Sequence, residues 1–201
     1  MRNSIYGEHL PAMERVMKDL TDQITRIRTE LHYKTGIDPV EHCLYRIKSE
    51  ESMREKCRRE GLPETEESAL QMIHDAIGVR IVCSFLSDVY TIRDRIIEIP
   101  GIAVVKEKDY IKHAKPNGYR SYHMILRTHE GYFAEIQLRT ISMDTWAALE
   151  HHMKYKKTIS GNIALISAEL KRCADELTST DVSMQAIRDM IFEDSEGEEN
   201  V

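Results

Sequence analysis

Apolar residues recur at three- and four-residue steps near the start of the chain, which is the pattern of one face of an amphipathic helix. The positions are Leu10, Met13, Val16, Met17, Leu20, Ile24, Ile27 and Leu31. The segment "TGIDP" at 35–39 then supplies a glycine stop, Asp38 as an N-cap and a proline for a first helical position. The pattern predicts a long first helix, a second helix through "VEHCLYRIK" and a short charged helix over "EESMREKCRREG".

The apolar pattern changes at "DAIGVRIVCSF" (75–85), where a short β-branched run predicts a buried strand. Ser87 or Asp88 is predicted to cap the next helix, which Pro100-Gly101 would end. Three further strands are predicted over "IAVVKEKDYI", "SYHMILRT" and "YFAEIQLRT", with "HEG" (129–131) as a hairpin loop. Helices before and after a mixed sheet indicate an α+β fold.

The last third of the chain is predicted to be helical and then disordered. "SMDTWAALEHHMKYK" forms one helix, and a further helix or helix pair covers roughly 163–192. The tail "EDSEGEENV" is acidic and poor in apolar residues, which predicts disorder over 193–201. No repeat or linker composition interrupts the chain, so we expect a single domain over 1–192 with helical extensions at both ends.

The charge balance limits the kinds of partner. With 28 Lys+Arg against 34 Asp+Glu, the net charge of -6 disfavours stable binding to duplex nucleic acid. A bound anion must therefore meet a local basic patch. No signal-like or membrane-spanning apolar run is visible, so we expect a cytoplasmic protein that does not bind a membrane. The 4 cysteines show no CxxC spacing, which predicts reduced thiols.

Polar residues alternate with apolar ones in the last two predicted strands. Glu135 and Gln137 share one face of their strand, and hairpin pairing would bring His123 close to Glu135. Asp75 directly precedes the buried strand and could lie beside Glu135, where two carboxylates can share a Mg²⁺ ion. The pattern alone equally fits a solvated Glu135 and an Asp75 that serves in a turn.

The helix within "RIKSEESMREKCRR" carries a dense set of basic residues. The i,i+4 spacing of its acidic and basic residues is typical of a solvated helix face. However, Lys56 and Arg59 are one turn apart and could both face a triphosphate, with Ser52 one turn earlier on the same side.

The stretch "KPNGYRSYH" (115–123) concentrates polar, basic and aromatic residues around one glycine. Gly118 permits a tight turn, and the ring of Tyr119 could stack on a base while Lys115, Asn117 and His123 supply hydrogen bonds. A plain Asn-Gly hairpin turn with tyrosines packed across strands is the alternative.

Together, "KPNGYRSYH", "DAIGVRI" and "EIQLRT" followed by "W…EH…YK" resemble the synthetase domain of the RelA/SpoT family, over roughly residues 10–190. These 201 residues leave no room for a hydrolase domain, so the chain is similar to stand-alone small alarmone synthetases. The resemblance implies a nucleotidyltransferase-like fold and a homotetramer. It also implies Mg²⁺-dependent transfer of pyrophosphate from ATP to the 3′-hydroxyl of GDP or GTP, giving ppGpp or pppGpp and AMP.

The resemblance also implies a role for each candidate site residue. The residues implied to bind ATP are Arg46 and Arg80, which sandwich adenine, and Lys48, Ser52, Lys56 and Arg59, which lie along its phosphates. The implied catalytic and metal-binding residues are Asp75 and Glu135. The residues implied to arrange GDP or GTP are Lys115, Asn117, Tyr119, which stacks on guanine, His123 and Gln137.

Other functions remain as alternatives at this point. The same transfer could use another acceptor, such as GMP, an adenine nucleotide or a tRNA 3′ end. The chain could also be a non-catalytic nucleotide sensor. "KEKD" (106–109) resembles a basic variant of a charged family motif but begins with lysine. His74-Asp75 is similar to the hydrolase signature of the family, but it runs directly into the predicted strand, so we do not expect hydrolysis.

Overall fold

The computed structural model describes residues 4–155 and 162–198. In chain order, the helices and strands are α1 (Leu10–Thr35), β1 (Val40–Ile47), α2 (Glu50–Glu60), β2 (Ile77–Cys83), α3 (Leu86–Ile97), β3 (Ile102–Asp109), β4 (Tyr122–Thr128), β5 (Phe133–Thr140), α4 (Ile141–Tyr155) and α5 (Ile163–Glu198). No helix within the described ranges is long and apolar enough to cross a membrane.

The five strands form one sheet in the order β1-β2-β5-β4-β3. The central pair, β2 and β5, is parallel, and every other neighbouring pair is antiparallel. The sheet is therefore mixed, which confirms the predicted α+β class. Strands β2 and β5 are neighbours in the sheet although α3, β3 and β4 lie between them in the sequence.

One face of the sheet is the core. The apolar residues of β2 and β5 are buried there beneath α1 and α3, which also contact each other. The predicted apolar stripe of α1 is confirmed, since Met13, Val16 and Leu20 are all buried. Each fully buried aliphatic side chain contributes roughly 1.5–3 kcal/mol, so this layer holds the sheet in place. The opposite face of the sheet is left for polar residues.

The helix predicted over "VEHCLYRIK" is wrong, because this segment is strand β1. The carboxylate of Asp38 accepts a 3.0 Å hydrogen bond from the backbone N–H of Val40 and is also held by Arg28. Asp38 thus starts a strand instead of capping a helix. Pairing with β2 satisfies the backbone groups of β1, and this tertiary pairing overrides the local Asp-Pro signal.

The other helix boundaries differ from the predictions in smaller ways. Phe85 is the N-cap of α3, and the carboxylate of Asp88 accepts the backbone N–H of Phe85 at 3.1 Å from the third helical position. The region after 162 is one helix, α5, which continues to Glu198 and so enters the segment predicted to be disordered. Residues 199–201 of that predicted tail lie outside the described residues.

Candidate active site

Two rows of residues cross the polar face of the sheet. Strand pairing defines the first row as Leu44, Arg80, Gln137, His123 and Lys108. It defines the second row as Arg46, Gly78, Glu135, Ile125 and Lys106. The second row has a glycine between Arg46 and Glu135, so the face is open at that position.

A cleft of ≈ 170 Å³ lies at this opening and is lined by both carboxylates that were predicted to meet. Asp75 and Glu135 share the cleft with Arg46, Arg80 and Gln137. The two carboxylates therefore lie on the same side of the sheet. The arginines predicted to clamp adenine come from adjacent strands, β1 and β2, and line the same cleft.

Asp75 is bound by two lysines through one of its oxygens. Lys48 Nζ and Lys56 Nζ donate to Asp75 Oδ2 at 2.7 Å and 2.8 Å. Burial by itself would raise the pKa of Asp75, but the two lysines outweigh it and hold that pKa below its usual value. The other oxygen, Oδ1, is buried and has no hydrogen-bond partner within the described chain. Asp75 is thus an anion with one oxygen still able to accept.

The three residues of α2 that were predicted to bind phosphate differ in their exposure to solvent. Lys56 is half-buried against Asp75, whereas Arg59 is exposed. Ser52 is also exposed, and its hydroxyl accepts a 2.9 Å hydrogen bond from Ser49, the N-cap of α2. The structure therefore brings Lys56 to Asp75 and leaves Ser52 and Arg59 open to solvent.

Glu135 is held by side chains from its own strand and the next one. His123 Nδ1 lies 3.1 Å from Glu135 Oε1, and Gln137 Nε2 donates to Glu135 Oε2 at 2.9 Å. Burial would raise the pKa of Glu135, and the charge of Asp75 acts in the same direction. His123 and Gln137 outweigh both effects and lower that pKa, so Glu135 is ionised at neutral pH.

Arg80 lies between the cleft and helix α4. Its Nη1 atom is 3.2 Å from Asp144 Oδ1, and its Nε atom is buried without a hydrogen-bond partner among the described residues. Burial lowers the pKa of Arg80 from its very high usual value, which leaves the guanidinium charged. Among the described residues, Arg80 Nε is thus a donor without a hydrogen-bond partner, and Asp75 Oδ1 is an acceptor without one.

The loop "KPNGYRSYH" forms the predicted tight turn. Gly118 has φ +91°, and its N–H donates to the carbonyl of Lys115 at 2.8 Å. Asn117 caps the turn by accepting the N–H of Tyr119 and donating to Glu150 on α4 at 3.1 Å. Lys115 Nζ lies 4.9 Å from the centre of the Tyr119 ring. The loop therefore has the backbone of an Asn-Gly turn and also clusters the side chains that were predicted to bind a nucleotide.

Two residues that were not predicted as site residues complete this site. Arg139 is buried and donates to Tyr119 Oη at 2.8 Å and to Asp144 Oδ1 at 2.9 Å. The alternation of β5 places Arg139 on the polar face, so its position was predictable although its partners were not. Asp144 lies in the first turn of α4, and nothing local distinguishes it from a solvated helix residue.

Comparison with known proteins decides the family. The profile of the region found in RelA/SpoT proteins matches residues 45–160, which include the end of β1 and all of β2 to β5. The chain belongs to the RelA/SpoT family.

Two RelA/SpoT relatives and one solved structure show how far the similarity extends. The GTP pyrophosphokinase YwaC of Bacillus subtilis is 38% identical over 177 residues, covering 84% of this chain and 83% of the relative. YjbM of the same organism, also a GTP pyrophosphokinase, is 33% identical over 201 residues, covering 96% and 93%. The crystal structure of small alarmone synthetase 1 from Bacillus subtilis bound to its product pppGpp superposes with a TM-score of 0.78. It is 29% identical and covers 91% of this chain and 95% of that one. The fold is therefore that of the small synthetases.

Proposed function

We propose that this chain is a GTP pyrophosphokinase that transfers the β,γ-pyrophosphate of ATP to the 3′-hydroxyl of GDP or GTP. The products are AMP and either ppGpp or pppGpp. One observation carries the proposal: Asp75 and Glu135 line one cleft together with Arg46 and Arg80, and His123 links Glu135 to Tyr119. Membership of the RelA/SpoT family and similarity to two GTP pyrophosphokinases support it.

The arginine side of the cleft takes ATP. A guanidinium is planar and stays charged while it stacks on a base, so Arg46 and Arg80 suit an adenine between adjacent strands. Lys48 and Lys56 both contact Asp75, which holds their ammonium groups beside the cleft where they can donate to phosphate. Ser52 and Arg59, exposed on α2, extend this phosphate-binding surface.

The opposite side takes the acceptor nucleotide. Tyr119 offers a ring for guanine, and base–aromatic stacking contributes roughly 1–3 kcal/mol per base. Lys115 is exposed beside that ring, and Asn117 stiffens the turn that carries it. His123 and Gln137 flank Glu135 on the polar face and direct the ribose toward its carboxylate.

The two carboxylates fit a Mg²⁺ ion. Mg²⁺ takes oxygen ligands, and it is commonly bound by one or two carboxylates together with substrate phosphates and water. Asp75 Oδ1 is a buried oxygen without a hydrogen-bond partner in the described chain, as a metal ligand requires. Asp75 and Glu135 would hold the ion, with substrate phosphates and water as its remaining ligands. A Mg²⁺ ion bound there would neutralise charge on the transferred phosphates.

The protein itself aligns the reactants and accepts a proton. The 3′-oxygen of the acceptor forms a bond to the β-phosphorus of ATP, and the bond from that phosphorus to the α,β-bridging oxygen breaks, which releases AMP. Glu135 accepts the proton of the 3′-hydroxyl, since its lowered pKa keeps it ionised at neutral pH. Phosphoryl-type transfer depends mainly on positioning and charge neutralisation, which the lysines and arginines supply.

We also infer that the chain works in the cytoplasm as a homo-oligomer, with a homotetramer as the expected form. Leu149 and Met153 on α4 are 57% and 54% exposed, and α5 carries several further exposed apolar residues. Burial of these side chains in an assembly would remove apolar surface from water. Light scattering coupled to size-exclusion chromatography tests the assembly, and a monomeric mass at micromolar concentration contradicts it.

A product assay tests the activity. Purified protein is incubated with ATP labelled at the γ-phosphate, GDP and Mg²⁺, and products are separated by thin-layer chromatography. We expect labelled ppGpp and an equal amount of AMP. Formation of ADP alone, or of no product, contradicts the proposal. Competition among GDP, GTP, GMP, ATP and tRNA then identifies the acceptor, and preference for an adenine nucleotide or tRNA would overturn the guanine assignment.

A further inference from the structure

Five side chains on the polar face form a closed ring of hydrogen bonds. Arg139 Nη2 donates to Tyr119 Oη at 2.8 Å, Tyr119 Oη lies 2.8 Å from His123 Nε2, and His123 Nδ1 lies 3.1 Å from Glu135 Oε1. On the other side, Gln137 Nε2 donates to Glu135 Oε2 at 2.9 Å, and Gln137 Oε1 accepts from Arg139 Nη2 at 3.0 Å.

The ring begins at a donor and ends at an acceptor. A guanidinium can only donate hydrogen bonds, and an ionised carboxylate can only accept them. Two routes therefore connect Arg139 to Glu135, one through Tyr119 and His123 and one through Gln137. His123 donates to Glu135 from Nδ1, whichever way the hydrogen bond between Tyr119 and His123 Nε2 runs. Arg139 thus orients the catalytic carboxylate from both sides without touching it.

The positive charge of Arg139 is balanced by the carboxylate of Asp144. Arg139 is 4% exposed, and a charge buried to that extent needs a partner. Asp144 provides it at 2.9 Å and also pairs with Arg80 at 3.2 Å. Asp144 therefore connects the arginine that holds the ring to the arginine of the ATP side, so the two nucleotide subsites share one anion.

We propose that Arg139 is a positioning residue for the acceptor nucleotide, which fixes the Tyr119 ring and the Glu135 carboxylate relative to each other, with Asp144 as its anchor. This inference rests on the proposed function and adds a residue that binds neither nucleotide. Its chemistry needs the planar fork of arginine, because one group must reach Tyr119, Gln137 and Asp144 together. A lysine would keep the charge and lose this geometry.

The test is a double-mutant cycle on steady-state kinetics. Arg139→Lys is expected to lower kcat/KM for GDP by about tenfold or more and to change KM for ATP by less than about twofold. Tyr119→Phe, which keeps the ring and removes the hydroxyl, is expected to lower kcat/KM for GDP by about three- to tenfold. In the Arg139→Lys background, the same Tyr119→Phe change should cost less than about twofold, because the route through the hydroxyl is already broken.

Two further variants separate positioning from stability. Arg93→Lys alters an arginine that pairs with Glu107 outside the ring, and it should leave the kinetics at the wild-type level. Asp144→Asn should raise KM for both ATP and GDP, because Asp144 contacts Arg80 as well as Arg139. If Arg139→Lys fails to fold in a thermal melt, the cycle of Asp144→Asn with Tyr119→Phe replaces it with the same expected non-additivity.

The outcomes distinguish this inference from the proposed function. An active wild type in which the effects of Arg139→Lys and Tyr119→Phe simply multiply overturns the positioning role and leaves the function standing. An Arg139→Lys variant with wild-type kinetics has the same meaning. A wild type that makes no product from ATP with any guanine nucleotide overturns the proposed function, and the inference falls with it.

Discussion

Lys56 Nζ lies 2.8 Å from Asp75 Oδ2, which ties helix α2 to the residue that precedes the buried strand β2. Lys48 contacts the same oxygen at 2.7 Å. Three charged groups from three segments of the chain therefore meet at one point, and Glu60 also lies 3.7 Å from Lys56 Nζ. The two lysines keep Asp75 ionised, and they are the groups proposed to contact the phosphates of ATP.

Asp75→Asn should abolish turnover and leave nucleotide binding largely intact. The amide has the same shape but is a much weaker metal ligand, so we expect kcat to fall by about 100-fold or more. Lys48 and Lys56 stay available to phosphate, so the Kd for a non-hydrolysable ATP analogue, measured by calorimetry without Mg²⁺, should change by less than about threefold. Asp22→Asn, an exposed change in α1, is the control. Equal, measurable turnover in wild type and Asp75→Asn would remove Asp75 from the catalytic machinery, and nucleotide binding without turnover in both would indicate a sensor.

Gly118→Ala should damage acceptor binding through the loop. A Cβ at Gly118 would lie 2.6 Å from the Cβ of Ala174 on α5, and the residue has φ +91°. We expect KM for GDP to rise by about tenfold and KM for ATP to change little, because the loop must move away from α5. Steady-state kinetics with each nucleotide varied in turn provides the measurement.

Gly131→Ala is the matched control for that change. Gly131 has φ +89° in the β4–β5 hairpin, and a Cβ there meets no atom within 4 Å. It carries the same backbone strain, about 1 kcal/mol, without the collision. Both variants should lose thermal stability from strain, Gly118→Ala more because of the collision, but only Gly118→Ala should lose acceptor affinity. An equal kinetic loss in both would show that strain alone accounts for the effect.

Gly78→Val should close the cleft while preserving the sheet. Gly78 lies between Arg46 and Glu135 in the second row, has no positive φ and would place a Cβ 3.9 Å from Arg46 Cγ. The valine methyl groups would project into the cleft, so we expect KM for ATP to rise by about tenfold or more. Gly78→Ala, which adds only that Cβ, should stay within about threefold of wild type. A Gly78→Val enzyme with wild-type kinetics would place adenine elsewhere.

The Glu107–Arg93 pair should make stability depend on acid pH. Arg93 donates two 2.7 Å hydrogen bonds to Glu107, Tyr122 donates a third, and these hold the pKa of Glu107 below its usual value. The pair therefore stabilises the folded state above the unfolded pKa of about 4.3, and this contribution is lost as pH falls through the folded value. At pH 7 we expect Glu107→Gln to cost about 1 kcal/mol in the free energy of unfolding.

Urea unfolding at several pH values checks this expectation. The difference between wild type and Glu107→Gln should shrink as pH falls below about 4, because Glu107 becomes neutral in the wild type as well. Glu130→Gln, a change at an exposed residue of the β4–β5 turn, should show no such trend. A constant difference down to pH 3 would mean that lost packing, and not the charge, is responsible.

Strands β2, β4 and β5 of the site were predicted correctly from the sequence, whereas β1 was not. Alternation along β5 correctly placed Glu135 and Gln137 opposite the core, and the hairpin register brought His123 to Glu135. Segment β1 was predicted as a helix, because Asp38-Pro39 is a local signal shared by turns and helix starts. Only pairing with β2, a non-local interaction, selects the strand.

The candidate site shows the same division between local and non-local information. Tyr119 and its turn were predictable because a short stretch carries both the glycine and the aromatic ring. Asp144 was not, because its importance comes from Arg80 and Arg139, which reach it from two different strands. Contacts between segments that are distant in sequence leave no periodic pattern. The role of Asp144 therefore could not be predicted from the sequence and became clear only from the folded structure.

The parallel seam between β2 and β5 has a consequence for how such an enzyme diversifies. The residues proposed to bind ATP lie before residue 81, those proposed to arrange the acceptor lie after residue 114, and the parallel pairing of β2 with β5 brings the two sets side by side. Substitutions confined to the loop that carries Tyr119 would therefore change which nucleotide receives the pyrophosphate and leave the residues proposed to bind ATP as they are.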